Sequence, residues 1–386
     1  MPQYPFAISS KLPRTGTTIF SKMSALATSH DAINLSQGFP GFDVPQDLKD
    51  RVAHYLQSGL NQYAPMQGVR ALREQVALDR LRTSQVSYDP DCEVVITAGA
   101  TQAIFTAIMA LVRENDEVVV FTPAYDCYAP AIELAGGKPI YVKLKAPDYR
   151  IDWDEVRKVV NRHTRMMIIN TPHNPTGAVL TQHDLDELEH LTADSDLIVL
   201  SDEVYEHIVF DGVSHLSCAA MPRLQHCTLV VGSFGKSFHA TGWKVGYIAG
   251  PAALIAEFTK VHQYNVFSVN TPIQHALADF LRDQPAHLQT LSAFYSQKRD
   301  LFLTALKPGR FTFTPSPGTY FQLLHYGAIT HEEDTQVAVD WTVKHGVTSV
   351  PISVFYHQPE HNQMLRFCFA KTDDVLLAAA ERLNAI

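Results

Sequence analysis

The chain predicts an α/β protein: a mostly parallel sheet with helices on both faces, followed by a smaller α+β module. Three observations carry this. From about residue 93, short runs rich in β-branched residues alternate with longer amphipathic segments. The short runs are apolar throughout rather than at every second position, as strands buried on both faces are. After about residue 285 the alternation gives way to a mixed order of helices and strands.

Taken in order, residues 1–45 lack the alternation and are expected to form an N-terminal arm that joins the second module. Residues 46–285 form the expected large, ligand-binding domain. Within it, 93–97 reads as a strand and 101–112 as a helix. The next pairs are strand 117–121 with helix 126–135, and strand 165–170 with helix 181–193. Strands 197–201, 228–232 and 245–249 bring the number to six. Residues 286–386 form the expected small domain. It opens with a helix at 292–306 and strands at 311–314 and 320–324. A helix at 334–344, strands at 347–350 and 364–369 and a helix from Thr372 complete it.

A length of 386 residues suits two domains. The formal net charge of -9, with no long basic run, argues against a nucleic-acid surface, whose affinity comes from clustered Lys and Arg. The five cysteines are odd in number and contain no Cys-x-x-Cys pair, which fits free thiols in a reducing compartment. The first residues show no basic region followed by an apolar one, and no apolar run reaches about 18 residues. A cytoplasmic protein without membrane contact is expected. The eighteen histidines include no His-Glu-x-x-His, and no metal site is expected.

Four segments carry candidate chemistry. Gly99-Ala100-Thr101 ends a strand and opens a helix. Its small residues admit a ligand to free backbone N–H groups, although an ordinary tight turn would read the same way. Asn170 to Gly177 holds Pro172 and Pro175, which restrict the residues before them, and so fixes Asn174 at a strand's C-terminal end. A turn rich in Asn and Pro is the plainer alternative. Asp202 ends the strand 197–201, with Tyr205 three residues on. A carboxylate there can pair with a cationic ring nitrogen, or simply cap a helix. Lys236 lies between Ser233 and Lys244, directly after the strand 228–232. Gly235-Lys236-Ser237 is not the end of a P-loop, because the glycine required five residues before Gly235 is Val230. A lysine that is buried or next to another cation has a lowered pKa, which frees its amine for imine formation and proton transfer.

The Lys236 segment resembles the Schiff-base segment of the fold-type I aminotransferases, which use pyridoxal 5'-phosphate (PLP). Asn174-Pro175-Thr176-Gly177 looks like the Asn-Pro-x-Gly signature of class I/II aminotransferases. The order Gly99, Asn174, Asp202, Tyr205, Lys236, Lys244 is similar to theirs, and the resemblance runs from Asn34 to Ala370. Asn61 to Tyr63, Asp126 to Tyr128, Val261 to Gln263 and Pro351 to Phe355 resemble the methionine, glutamine and kynurenine aminotransferase subgroup.

The resemblance implies a seven-stranded sheet in the large domain and a ping-pong Schiff-base transamination from an L-amino acid to a 2-oxo acid. Lys236 would form the Schiff base and shuttle the proton, and Asp202 would pair with the pyridinium nitrogen. Asn174 and Tyr205 would bond the ring's phenolic oxygen, while Tyr125 would stack on the ring. Gly99, Ala100, Thr101, Ser233 and Lys244 would surround the phosphate. Many relatives have arginine at the position of Lys244, and a lysine keeps the charge without the two-pronged fork. Tyr63 would reach the phosphate of a neighbouring subunit, so a homodimer with shared sites is implied. Arg366 would clamp the substrate carboxylate with two parallel bonds, aided by Gly38 and Asn174.

Phe20, Tyr63, Tyr125 and residues 264–267 offer aromatic and apolar walls, which suit methionine and aromatic amino acids. His262 reads either as a pocket residue or as a core histidine. A cysteine-S-conjugate β-lyase would use the same Lys236 and Asp202. A non-catalytic PLP-fold sensor would need a DNA-binding segment, and nothing basic or helix-turn-helix-like precedes residue 34.

Overall fold

The computed structural model describes residues 4–193, 195–358 and 360–386. Twelve strands follow in chain order: β1 Ile33–Asn34, β2 Val94–Thr97, β3 Glu117–Thr122, β4 Lys138–Lys143, β5 Thr164–Asn170 and β6 Ile198–Asp202. They continue with β7 Thr228–Ser233, β8 Gly246–Ala249, β9 Phe321–His325, β10 Val347–Thr348, β11 Val350–Pro351 and β12 Met364–Cys368.

Seven of these form one sheet in the order β2-β8-β7-β6-β5-β3-β4. Every pairing is parallel except the two made by β8. Alternation along each strand explains why the runs are apolar throughout. Val118, Val120, Met166 and Ile168 enter one core with Ile104 and Ile108. Val119, Met167, Ile169 and Val199 enter another with Leu185, Leu188 and Trp153. A strand covered on both faces has no polar side to spare.

The C-terminal ends of β2, β3, β5, β6 and β7 share one edge of this sheet, as their common direction requires. Open α/β sheets bind ligands at that edge. The remaining strands form two small sheets. The strands β1 and β10 pair in parallel, and β11, β12 and β9 pair antiparallel. The N-terminal arm is thereby tied to the C-terminal third of the chain.

Two expectations need correction. The segment 311–314 is not a strand; it makes one isolated bridge, Thr312 to His325. Pro315 and Pro317 follow at once and have no N–H to extend a ladder. The expected strand 347–350 is two strands serving different sheets, because the chain turns away from β1 after Thr348 to meet β12 at Val350. The seventh strand of the large sheet, β4, was not among the six placed from the sequence. Helices Ile19–Ser29, Gln46–Gln57, Arg70–Ser84, Trp153–Val159, Ala252–Asn265 and Thr271–Asp283 also fall where no element was placed.

Candidate active site

Ten of the expected residues line one cavity of about 190 Å³ at the C-terminal edge of the large sheet. They are Gly99, Ala100, Thr101, Tyr125, Asn174, Asp202, Tyr205, Ser233, Lys236 and Lys244. Most of them lie at the end of a strand or just after it, while Lys244 precedes β8. Gly99 follows β2 and stands before the helix Ala100–Leu111 with φ +81° and ψ 167°, a conformation open to glycine. No side chain caps that helix, so its first N–H groups face the cavity unshared. A Cβ on Gly99 would stand 3.5 Å from Lys244 Nζ, so the lysine reaches the same helix terminus. Among the described residues no carboxylate lies within 4.0 Å of that ammonium. Helix terminus, Lys244 and the hydroxyls of Thr101 and Ser233 make a donor set with no anion of its own, which fits the phosphate of a cofactor.

Asp202, at the end of β6, is buried. Tyr128 Oη donates to its Oδ2 at 2.5 Å, and the backbone N–H of Val204 donates to Oδ1 at 3.4 Å. Burial nevertheless pushes its carboxyl up to about 6. Lys236 faces the cavity and is enclosed by protein elsewhere. Burial pulls its ammonium down to about 8. Its Nζ donates to the Gly38 carbonyl at 3.1 Å and to Tyr320 Oη at 3.0 Å.

Arg366, on β12, is buried, and among the described residues no carboxylate lies within 4.0 Å of it. One nitrogen donates to Asn174 Oδ1 at 2.7 Å and another to the Ser36 carbonyl at 3.0 Å, while Nε has no partner. Burial lowers its pKa to about 10. The rings of Phe321, Phe355 and Phe20 lie 3.9, 5.2 and 5.3 Å from the guanidinium carbon. An unpaired cation walled by aromatic rings is expensive unless an anion arrives. The arrangement suits a carboxylate whose other end is apolar.

Gly38 belongs to the same constellation through its carbonyl. A Cβ there would stand 2.8 Å from Phe321 Cζ, so only glycine lets the arm pass this close. Tyr63 does not line the cavity. It is 81% exposed, its ring edge-on to Phe267 at 5.2 Å. Tyr264 is 86% exposed, and it too stands outside the cavity. His262 is a core histidine: it is buried, stacks on Phe258 and shares a 3.2 Å hydrogen bond with Gln102.

Sequence reasoning missed the partners of the two ionisable groups. In the sequence Tyr128 stands out only within a subgroup motif, and Tyr320 only as part of a strand. Their contacts with Asp202 and Lys236 span 74 and 84 residues of chain, so no local signal marks them.

Comparison with known proteins agrees with this geometry. Residues 30–383 match the family described as aminotransferase class I and II. The chain is 49% identical over 386 residues to the methionine aminotransferase of Escherichia coli (strain K12), covering 100% of both. It is 33% identical to human kynurenine–oxoglutarate transaminase 1, covering 93% of each. A crystal structure of an Escherichia coli protein with a methionine aminotransferase function matches with a TM-score of 0.97, covering 99% of this chain and 100% of that one at 49% identity. The N-succinyldiaminopimelate aminotransferase structure from Mycobacterium tuberculosis matches with a TM-score of 0.95 at 37% identity, covering 98% and 100%. A helix terminus with no side-chain cap, a lysine of lowered pKa and a buried arginine thus meet in a chain that matches these proteins over at least 93% of its length: it belongs to the class I and II aminotransferases.

Proposed function

We propose that this protein is a PLP-dependent transaminase that takes the amino group from methionine and from aromatic L-amino acids and passes it to a 2-oxo acid. The observation that carries this is the meeting, in one cavity, of Lys236, Asp202 and an anion-ready helix terminus, with the unpaired Arg366 alongside. When bound, the cofactor supplies a ring that withdraws the electron pair from the substrate's α-carbon.

The remaining work falls to the chain. Ala100 and Thr101 N–H groups, Ser233 and Lys244 would hold the phosphate, with Gly99 leaving room for it. Tyr125 would stack on the ring. Asp202 would pair with the ring nitrogen and keep it protonated, and Asn174 and Tyr205 would bond the ring oxygen. Arg366 would bind the substrate carboxylate, assisted by Gly38 and Asn174. Lys236 Nζ would take the α-proton and later deliver a proton at a different carbon, a task suited to an amine whose pKa burial has lowered. Phe20 and Phe355 support the choice of apolar side chains, as does the 49% identity to a methionine aminotransferase.

Three further parts of the reading are structural. The chain divides into an arm (1–45), a large domain (46–285) and a small domain (286–386), in keeping with the pairing of β1 to β10. Tyr63, Tyr264 and Phe267 present exposed aromatic surface that suits a second copy, so a homodimer with Tyr63 serving the partner's site is the expected form. The five free cysteines suit the cytoplasm.

The test is a visible absorption spectrum of the purified protein before and after L-methionine, with no 2-oxo acid present. Conversion of a PLP band to the shorter-wavelength pyridoxamine form supports the reading. A band that methionine leaves unchanged but aspartate converts overturns the substrate, and no band after added PLP overturns the cofactor.

A further inference from the structure

The amine of Lys236 is held from two sides by groups outside the large sheet. Tyr320 Oη lies 3.0 Å from Nζ and the Gly38 carbonyl 3.1 Å. These two groups also bond each other: Tyr320 donates its only hydrogen to Gly38 at 2.6 Å. The direction of that bond decides the rest. With its hydrogen committed, the phenol oxygen can offer Lys236 only lone pairs, so Lys236 must be the donor to both neighbours.

A neutral amine has two N–H bonds and one lone pair. If both N–H bonds are taken by Tyr320 and Gly38, the lone pair occupies the remaining tetrahedral direction. Lys236 lines the cavity and Tyr320 and Gly38 do not, so the direction left over is the one open to the cavity. We propose that Tyr320 is a positioning residue for Lys236: together with the Gly38 carbonyl it takes both N–H bonds of the free amine and turns its lone pair toward the substrate's α-carbon. The inference rests on the reading of Lys236 as the proton-moving group.

The step balances simply. The α-carbon's C–H bond breaks, its electron pair stays with the substrate, and the proton forms a third N–H bond on Nζ. The new ammonium keeps Tyr320 and Gly38 as acceptors for its first two N–H bonds. The third N–H bond holds the abstracted proton for its later transfer to a different carbon. Tyr320 is itself buried, and burial raises its phenol pKa, so the hydroxyl remains protonated and the polarity of the triangle is kept. The ring is clamped by Tyr205 at 5.0 Å, Tyr295 at 5.7 Å and Phe321 at 5.0 Å between centroids, which leaves the oxygen little freedom.

The experiment compares wild type with Tyr320→Phe, which keeps the ring and removes the oxygen. In single turnovers of the loaded enzyme with L-methionine, the rate of α-proton removal should fall about 10- to 100-fold, the span of a hydrogen bond to a charged group. The dissociation constant for methionine should stay within about 2-fold, and the α-deuterium isotope effect should rise. A second readout needs no cofactor. In the apoprotein, the pH dependence of reductive methylation at Lys236, followed by peptide mass spectrometry, gives the amine's pKa. That value should drop by about one unit when the ammonium loses an acceptor.

Should Tyr320→Phe fail to fold, 3-fluorotyrosine at position 320 weakens the acceptor with little change in shape and should move both readouts in the same directions by less. Wild-type rates and an unshifted Lys236 pKa in these variants would overturn the proposal while leaving the transaminase reading intact. A wild-type protein that takes up no PLP would remove the reading beneath it and the proposal with it, and the spectrum of the wild type alone distinguishes that case.

Discussion

Asp202 and Glu203 are neighbours at the end of β6, both fully enclosed, and their carboxyl groups behave in opposite ways. Burial pushes Asp202 up to about 6, although Tyr128 donates to it. Burial acts on Glu203 in the same sense, but Arg80 and His215 outweigh it and hold that carboxyl at about 2. Glu203 accepts from Arg80 at 3.1 Å, from Ser217 at 2.9 Å, from Ser201 at 2.8 Å and from the backbone of Cys218 at 3.2 Å, with His215 2.9 Å away. Arg80 also bonds Glu206, which in turn accepts from Tyr247 at 2.7 Å.

On one side of the strand end the buried carboxylates are paired with a cation by the protein itself, although Arg80 Nε and His215 Nδ1 have no partner; on the other side burial outweighs the pairing. Asp202, Lys236 and Arg366 all have pKa values displaced toward the neutral form, because burial desolvates each and the opposite charges nearby do not outweigh it. Equal burial thus stabilises in one place and stores a demand in the other. The paired network anchors the backbone from Glu203 to Glu206, between which Tyr205 points into the cavity. The residues on the other side can then be aimed without being satisfied.

Three substitutions separate the two sides, from the largest effect to the smallest. Lys236→Ala should lower turnover by at least about a thousand-fold, as loss of an acid–base group does, while PLP still binds; turnover within ten-fold of wild type would sink the assignment. Arg80→Met should cost about 3–5 kcal/mol in urea unfolding, because it takes from buried Glu203 and Glu206 the guanidinium they share. The loss should shrink as pH falls and Glu203 protonates in the variant. A neutral outcome would mean that the network is not what anchors the strand end.

Asp202→Asn should act in the opposite direction and more mildly. In wild type the folded carboxyl keeps its proton up to about pH 6, whereas the unfolded one releases it near 3.8. The folded state therefore binds more protons in that window, and stability falls as pH rises through it. Above it the apoprotein carries the full penalty of about 2–3 kcal/mol. Asp202→Asn should raise apoprotein stability by that amount at pH 8, with the gain fading toward pH 4, and PLP should stabilise the variant less than wild type. Equal stability at pH 8 would show that Asp202 is not strained by burial.

The comparison also explains what was legible in the sequence. The strand-end residues were readable because each follows an apolar run that predicts where a turn exposes it: Asp202, Ser233 and Gly99 are found there. Strand β4 was not readable. It lies at the sheet's edge, opens on Lys138 and Pro139, and is only partly buried, so it lacks the apolar run of the central strands. The segment 311–314 was over-read for the opposite reason, since Thr and Phe alternate as in a strand while the prolines that prevent pairing lie just beyond. Arg80 carried no signal at all. It sits in the helix Arg70–Ser84 and meets Glu203 across 123 residues, a relation that exists only once the chain is folded.

The pairing of the arm with a distant part of the chain has a consequence for local unfolding. All sixteen described residues that line the cavity lie between Gly99 and Val245. Arg366 is held differently: it reaches back 330 residues to the Ser36 carbonyl, and Cys368 donates its N–H to Leu35 at 2.8 Å. Local opening of the arm would therefore free Arg366 while leaving every cavity-lining residue in place, so loss of the grip and loss of the pocket are separable events.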